Sequence, residues 1–180
     1  MKYASLDLGT VEAIVNKLGG MDGVKKFLSG VLTVVCAVLR IDRAKPFDPE
    51  FVGKGWKIAE QDERSLALTE LDMSKVKLET VLKNGEKCVS GEEKLKRLKA
   101  ADHVRLDAAI FQALWENQGL IPEEWKKVGA VYFDGTVLLN PDGDRYVLYL
   151  YWHDGRWDWH YRWIVNDFYA YAPSAVLASV

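Results

Sequence analysis

Two of the three histidines, His153 and His160, flank an Asp-Gly step inside the stretch YVLYLYWHDGRWDWHYRW, residues 146–163. Asp-Gly tolerates positive φ at both positions and is a strong hairpin signal. A two-residue loop at Asp154-Gly155 sets the register: His153 faces Arg156, Trp152 faces Trp157, Tyr151 faces Asp158, Leu150 faces Trp159, Tyr149 faces His160, Leu148 faces Tyr161 and Tyr146 faces Trp163. One face then carries Tyr149, Tyr151, His153, Arg156, Asp158, His160 and Arg162, with Val147. On that face Asp158 could orient either imidazole for acid–base work, as a hydrolase requires, and Arg156 or Arg162 could hold an anion. The histidines lie four residue pairs apart, about 13 Å at about 3.3 Å per residue, which is too far to share a zinc ion that wants nitrogens near about 2.1 Å. No Ser or Cys nucleophile stands on the hairpin.

The opposite face collects Tyr146, Leu148, Leu150, Trp152, Trp157, Trp159, Tyr161 and Trp163. At roughly 150–250 Å² per ring and about 25 cal/mol per Å², burying it contributes on the order of tens of kcal/mol before entropy. Such a face must be covered. The helix AAIFQALWENQ, with Asp107 as its cap and Ala108, Phe111, Leu114 and Trp115 on one side, is the expected cover. Pro122 suits the first turn of a short helix, PEEWKK. From Ala130 onward three Asp-Gly steps, at 134, 142 and 154, predict a meander of four or five antiparallel strands.

Upstream, SGEE at 90–93 has the capping-box pattern and opens a helix through KLKRLKAA, with Leu95 and Leu98 inward and Lys94, Lys96, Arg97 and Lys99 outward. With Arg105 these form the alternative site, a basic patch for nucleic acid: residues 83–105 hold seven basic and four acidic side chains. WKIAEQ and KVKLETVLK read as strands, and RAKPFDPEFVGKG as an irregular connection. At the start, Val11, Ile14, Val15 and Leu18 form a helical stripe with Thr10 as cap and Gly19 as stop. A second helix follows, capped by Asp22, striped by Val24, Phe27 and Leu28, and ended at Gly30. The second helix of this αα-hairpin offers only Lys25, Lys26 and Ser29 outward, too little to read base edges. The apolar run Val31 to Leu39 is about half a bilayer span and reads as a buried strand over 31–41.

A chain of 180 residues with 49% apolar and 28% charged residues suits one folded domain, and a formal charge of −2 predicts no strong attraction to polyanions or anionic membranes. No basic and apolar leader opens the chain, so cytoplasmic residence is expected, with Cys36 and Cys88 as free thiols.

The strings RLDAAIFQALWEN, FDGTVLLNPDGDRYVLYLYWHDGRWDWHYRW, PSAVL and NKLGGMDGVKKFL are similar to those of a family of small proteins from reduced-genome, largely uncultured bacteria. The resemblance implies a bacterial, cytoplasmic protein and carries no activity or site residue with it.

The expected architecture is a single α+β domain over 1–180. It comprises a helical hairpin (1–30), strands and an irregular connection (31–89), a helical layer (90–128) and an aromatic-rich antiparallel meander (130–172). No phosphate loop, metal cluster, nucleophile elbow or triad spacing occurs, so neither a cofactor nor a metal is expected. The expected role is a non-enzymatic binding module for a protein partner or a small polar ligand, without a membrane.

Overall fold

The computed structural model describes residues 7–30 and 38–178. Most of the expected strand over 31–41, Cys36 included, lies outside the described residues. The chain divides into two compact units, Met1–Cys36 and Ala37–Val180.

In the first unit α1 spans Leu8–Lys17 and α2 Gly20–Leu28. The cap of α1 is Asp7, whose carboxylate accepts from the Thr10 N–H at 2.7 Å, so Thr10 sits inside the first turn instead of capping it. Gly19, at φ 85°, ends α1 as expected and also caps α2, which leaves Asp22 within the first turn of α2.

The second unit runs β1 (Val38–Arg40), β2 (Lys57–Gln61), α3 (Glu63–Leu66), β3 (Glu70–Asp72), β4 (Lys77–Glu79), β5 (Cys88–Ser90), α4 (Gly91–Ala100) and β6 (Val104–Arg105). It continues with α5 (Ala108–Glu116), β7 (Val131–Leu139), β8 (Arg145–His153), β9 (Arg156–Trp163), β10 (Asp167–Tyr169) and β11 (Ser174–Leu177). No helix among the described residues is long and apolar enough to cross a membrane. Glu79 ends β4 early: Val81 turns to φ 52°, and the Glu79 carboxylate accepts from the N–H groups of Thr80 and Val81 at 3.1 Å each. The longer strand expected from KVKLETVLK is therefore cut short.

The main sheet has the order β4-β11-β7-β8-β9, with β2 also pairing with β7 and β6 with β11. The β8–β9 register is residue for residue the one that an Asp154-Gly155 loop imposes, from Tyr146↔Trp163 to His153↔Arg156, with both loop residues at positive φ. The sheet is mixed, because β11 runs parallel to β7. Asp134-Gly135, expected to turn the chain, lies inside β7 instead. Five steps along β7, Phe133 to Leu138, face two along β8, Leu148 to Tyr146, so the step is a bulge. At this bulge β7 changes its outer neighbour, from β11 beside Tyr132 to β2 beside Thr136–Leu139. Gly135 is needed there, since a Cβ would meet the Arg105 carbonyl oxygen at 2.2 Å.

Both sheet faces are covered. On the aromatic side Phe111 and Leu114 of α5 pack with Phe133, Leu148, Leu150 and Trp157. Phe51 and Trp56 of the irregular connection complete this layer, against Trp159 at 4.8 Å and Tyr161 at 4.9 Å respectively. Of the eight side chains on the aromatic face, Trp163 alone is exposed. On the other side Leu95 of α4, Ile164 and Phe168 pack with Tyr132, Val137 and Val147. The two central helices thus lie on opposite faces instead of forming one layer.

Candidate functional site

Asp107 caps α5 as the sequence predicts, accepting from Ala109 and Ile110, and is itself held by Arg43 at 2.9 Å and the Ser65 hydroxyl at 2.6 Å. Ser90 caps α4, accepting from the Glu93 N–H at 3.4 Å, but the return arm of the capping box is not made: the Glu93 carboxylate binds Arg97 at 2.9 Å.

The basic set is largely internal. Lys94 is 1% exposed, not outward. Its ammonium pairs with Asp134 of the β7 bulge at 3.2 Å and lies 4.4 Å from the Tyr132 ring centre and 4.5 Å from that of Phe168. Burial pushes its pKa below the ordinary lysine value, opposed by the Asp134 charge. The Asp134 carboxylate also accepts from the Ser174 hydroxyl. Arg105 is buried against Asp62 at 3.3 Å, Lys99 binds Glu60 at 2.7 Å, and Arg97 is clamped between Glu86 and Glu93. The Arg97 guanidinium holds the Glu86 carboxyl down at about 2. Of the four expected outward, Lys96 and Lys99 are exposed, with Glu93 4.0 Å from the Lys96 ammonium.

Six of the seven residues of the hairpin face line two hollows that share Tyr151, and His160 lines neither. Tyr151, His153, Arg156 and Asp158 line a cleft of about 210 Å³ at the turn. Asp158 does not contact either histidine: its carboxylate accepts the Trp159 N–H at 2.8 Å. The carboxylate near His153 is Asp154, at 3.3 Å. His160 is exposed, stacks on Tyr149 at 6.1 Å, and its Nδ1 accepts the Tyr161 N–H at 2.8 Å. The Asp158–histidine pair expected from the sequence is not assembled; the Asp–His pair present is Asp154–His153 at the exposed turn.

Tyr149, Tyr151 and Arg162 line the second hollow, a half-open space of about 190 Å³ also lined by Tyr132 of β7 and by the exposed Asp167, Tyr169 and Tyr171 around β10. Arg40, Arg43, Arg64, Arg97, Arg105 and Arg145 each pair with a carboxylate, whereas Arg156 and Arg162 pair with none among the described residues. One Arg162 terminal nitrogen donates to the Asp167 carbonyl at 2.8 Å, and its Nε is buried with no hydrogen-bond partner. None of the phenol hydroxyls of Tyr132, Tyr149, Tyr151, Tyr169 and Tyr171 makes a hydrogen bond among the described residues. Burial raises the pKa of Tyr132 and Tyr149, which keeps both as donors at neutral pH. The hollow is therefore rich in unspent donors around one unpaired cation.

Tyr132, Tyr169 and Tyr171 are missing from the face read off the hairpin, because they reach it from strands and a turn remote in sequence. The tyrosines of DFYAYA, two apart, were the signal available. Comparison with protein-family models, with curated proteins and with solved structures gives no match.

Proposed function

We propose that this protein is a binding module, without catalysis of its own, that takes a small anionic molecule in the Arg162 cavity. The observation that carries this reading is that Arg162 lines the cavity and pairs with no carboxylate among the described residues, whereas Arg43 and Arg105 are each matched to one. An oxyanion in the cavity would supply the charge-assisted acceptor that the guanidinium lacks. The phenols around it add neutral donors and no competing charge. The proposed setting is the bacterial cytoplasm, on the resemblance of the quoted strings alone.

The test is to titrate the protein with acetate, inorganic phosphate and benzoate, following tyrosine ring signals by NMR. At least one anion should shift the cavity tyrosines saturably. Arg162→Gln should weaken that binding about tenfold or more, while His160→Ala together with Arg162→Gln leaves the unfolding midpoint nearly in place. Binding that ignores the loss of Arg162, or no binding at all, overturns the reading.

A further inference from the structure

The size, walls and charge of the Arg162 cavity restrict its occupant further than an anion in general. At about 190 Å³ the space is larger than the roughly 150 Å³ apolar cavity known to hold one benzene ring, and equals the liquid volume of about six waters. A bare oxyanion would leave most of it to solvent. The walls are aromatic: Tyr132 and Tyr149 lie 4.9 Å apart, Tyr149 and Tyr151 5.7 Å, and Tyr169 and Tyr171 are stacked at 5.4 Å with planes 3° apart.

The Tyr171 wall is built in. The Gly129 N–H donates to the Tyr171 carbonyl at 2.8 Å, and a Cβ on Gly129 would meet the Tyr171 ring at 2.7 Å, so glycine lets the ring lie against the chain. The charge is single. Lys94, behind Tyr132, is neutralised by Asp134, which leaves Arg162 as the unmatched cation, and Asp167 stands on the lining. A dianion would face that carboxylate with only one positive partner.

We infer that the occupant is a monoanion with one planar ring, an aromatic or heteroaromatic monocarboxylate, its carboxylate on the Arg162 guanidinium and its ring against the tyrosines. This rests on the Arg162 cavity being an anion site, as proposed above. Offset or edge contacts between rings add to the area the ring buries.

The experiment is a calorimetric titration of the full chain with benzoate, acetate, inorganic phosphate and benzyl alcohol at low ionic strength, repeated with Arg162→Gln. Benzoate should bind about tenfold or more tighter than acetate or phosphate, and also tighter than benzyl alcohol, with Arg162→Gln removing most of its advantage over the alcohol. The ladder on the unaltered protein is decisive even should the variant fold poorly. Acetate or phosphate binding as tightly as benzoate overturns the ring and leaves the anion site standing. Benzyl alcohol matching benzoate overturns the anion site itself, and no binding by any probe at about 10 mM overturns both.

Discussion

Lys94 carries its ammonium group to the interior between Tyr132, Phe168 and the Asp134 carboxylate. In the apolar layer under α4 neither charge can be left alone, because an unpaired buried ion costs several kcal/mol while a matched pair roughly breaks even. Lys94→Met should therefore cost about 3–5 kcal/mol, since it leaves Asp134 with the Ser174 hydroxyl as its side-chain partner. Lys94→Met combined with Asp134→Leu should recover most of that loss. Chemical unfolding of the two variants measures it, and equal stability of single and double would show that the pair is not coupled. Arg162 differs from Lys94 in pairing with no carboxylate among the described residues, and its proposed role rests on that asymmetry.

The β7 bulge organises more of the molecule than any other element feature. It turns Asp134 toward Lys94, and its Gly135 accepts the Asp62 N–H at 2.8 Å and donates to the Leu106 carbonyl at 2.9 Å. It also lets one strand pair with β11 and then with β2 along the same edge. Gly135→Ala would drive a methyl into the Arg105 and Leu106 backbone, at 2.2 Å and 2.5 Å, where no side chain can swing away. The expected loss is about 3 kcal/mol, read from the denaturation midpoint, with the β2 amides losing protection in hydrogen exchange. A variant as stable as the parent would mean that the bulge relaxes freely. The Asp154-Gly155 loop is a different use of the same dipeptide: with both residues at positive φ it makes a tight turn at the sheet end.

Along α4 and β6 much of the positive charge is spent internally. The chain carries 24 basic and 26 acidic residues, and four of the five basic side chains from 94 to 105 are buried or tied to carboxylates. On α4 and β6 only Lys96 and Lys99 remain exposed to release counterions from a phosphate backbone. A short DNA duplex at about 50 mM salt should show no saturable binding up to about 100 μM, beyond the weak end of nonspecific affinity. Tight binding with a steep salt dependence, lost in Lys96→Glu, would restore α4 as a nucleic-acid face.

The local periodicity of the chain determined by itself the β8–β9 register, the split of that hairpin into aromatic and polar sides, the Asp107 and Ser90 caps and the need for a cover over the tryptophans. Each follows from alternation, from a turn's φ or from a side chain reaching three residues along, all short-range quantities. Tertiary structure alone decided that Asp134-Gly135 is a bulge, that Lys94 faces inward, that α4 covers the hairpin's polar side and that Tyr132, Tyr169 and Tyr171 join Tyr149, Tyr151 and Arg162 around one cavity. The reason is physical: a dipeptide that permits positive φ does not require it, and a lysine turns inward only where another strand delivers a carboxylate to meet it.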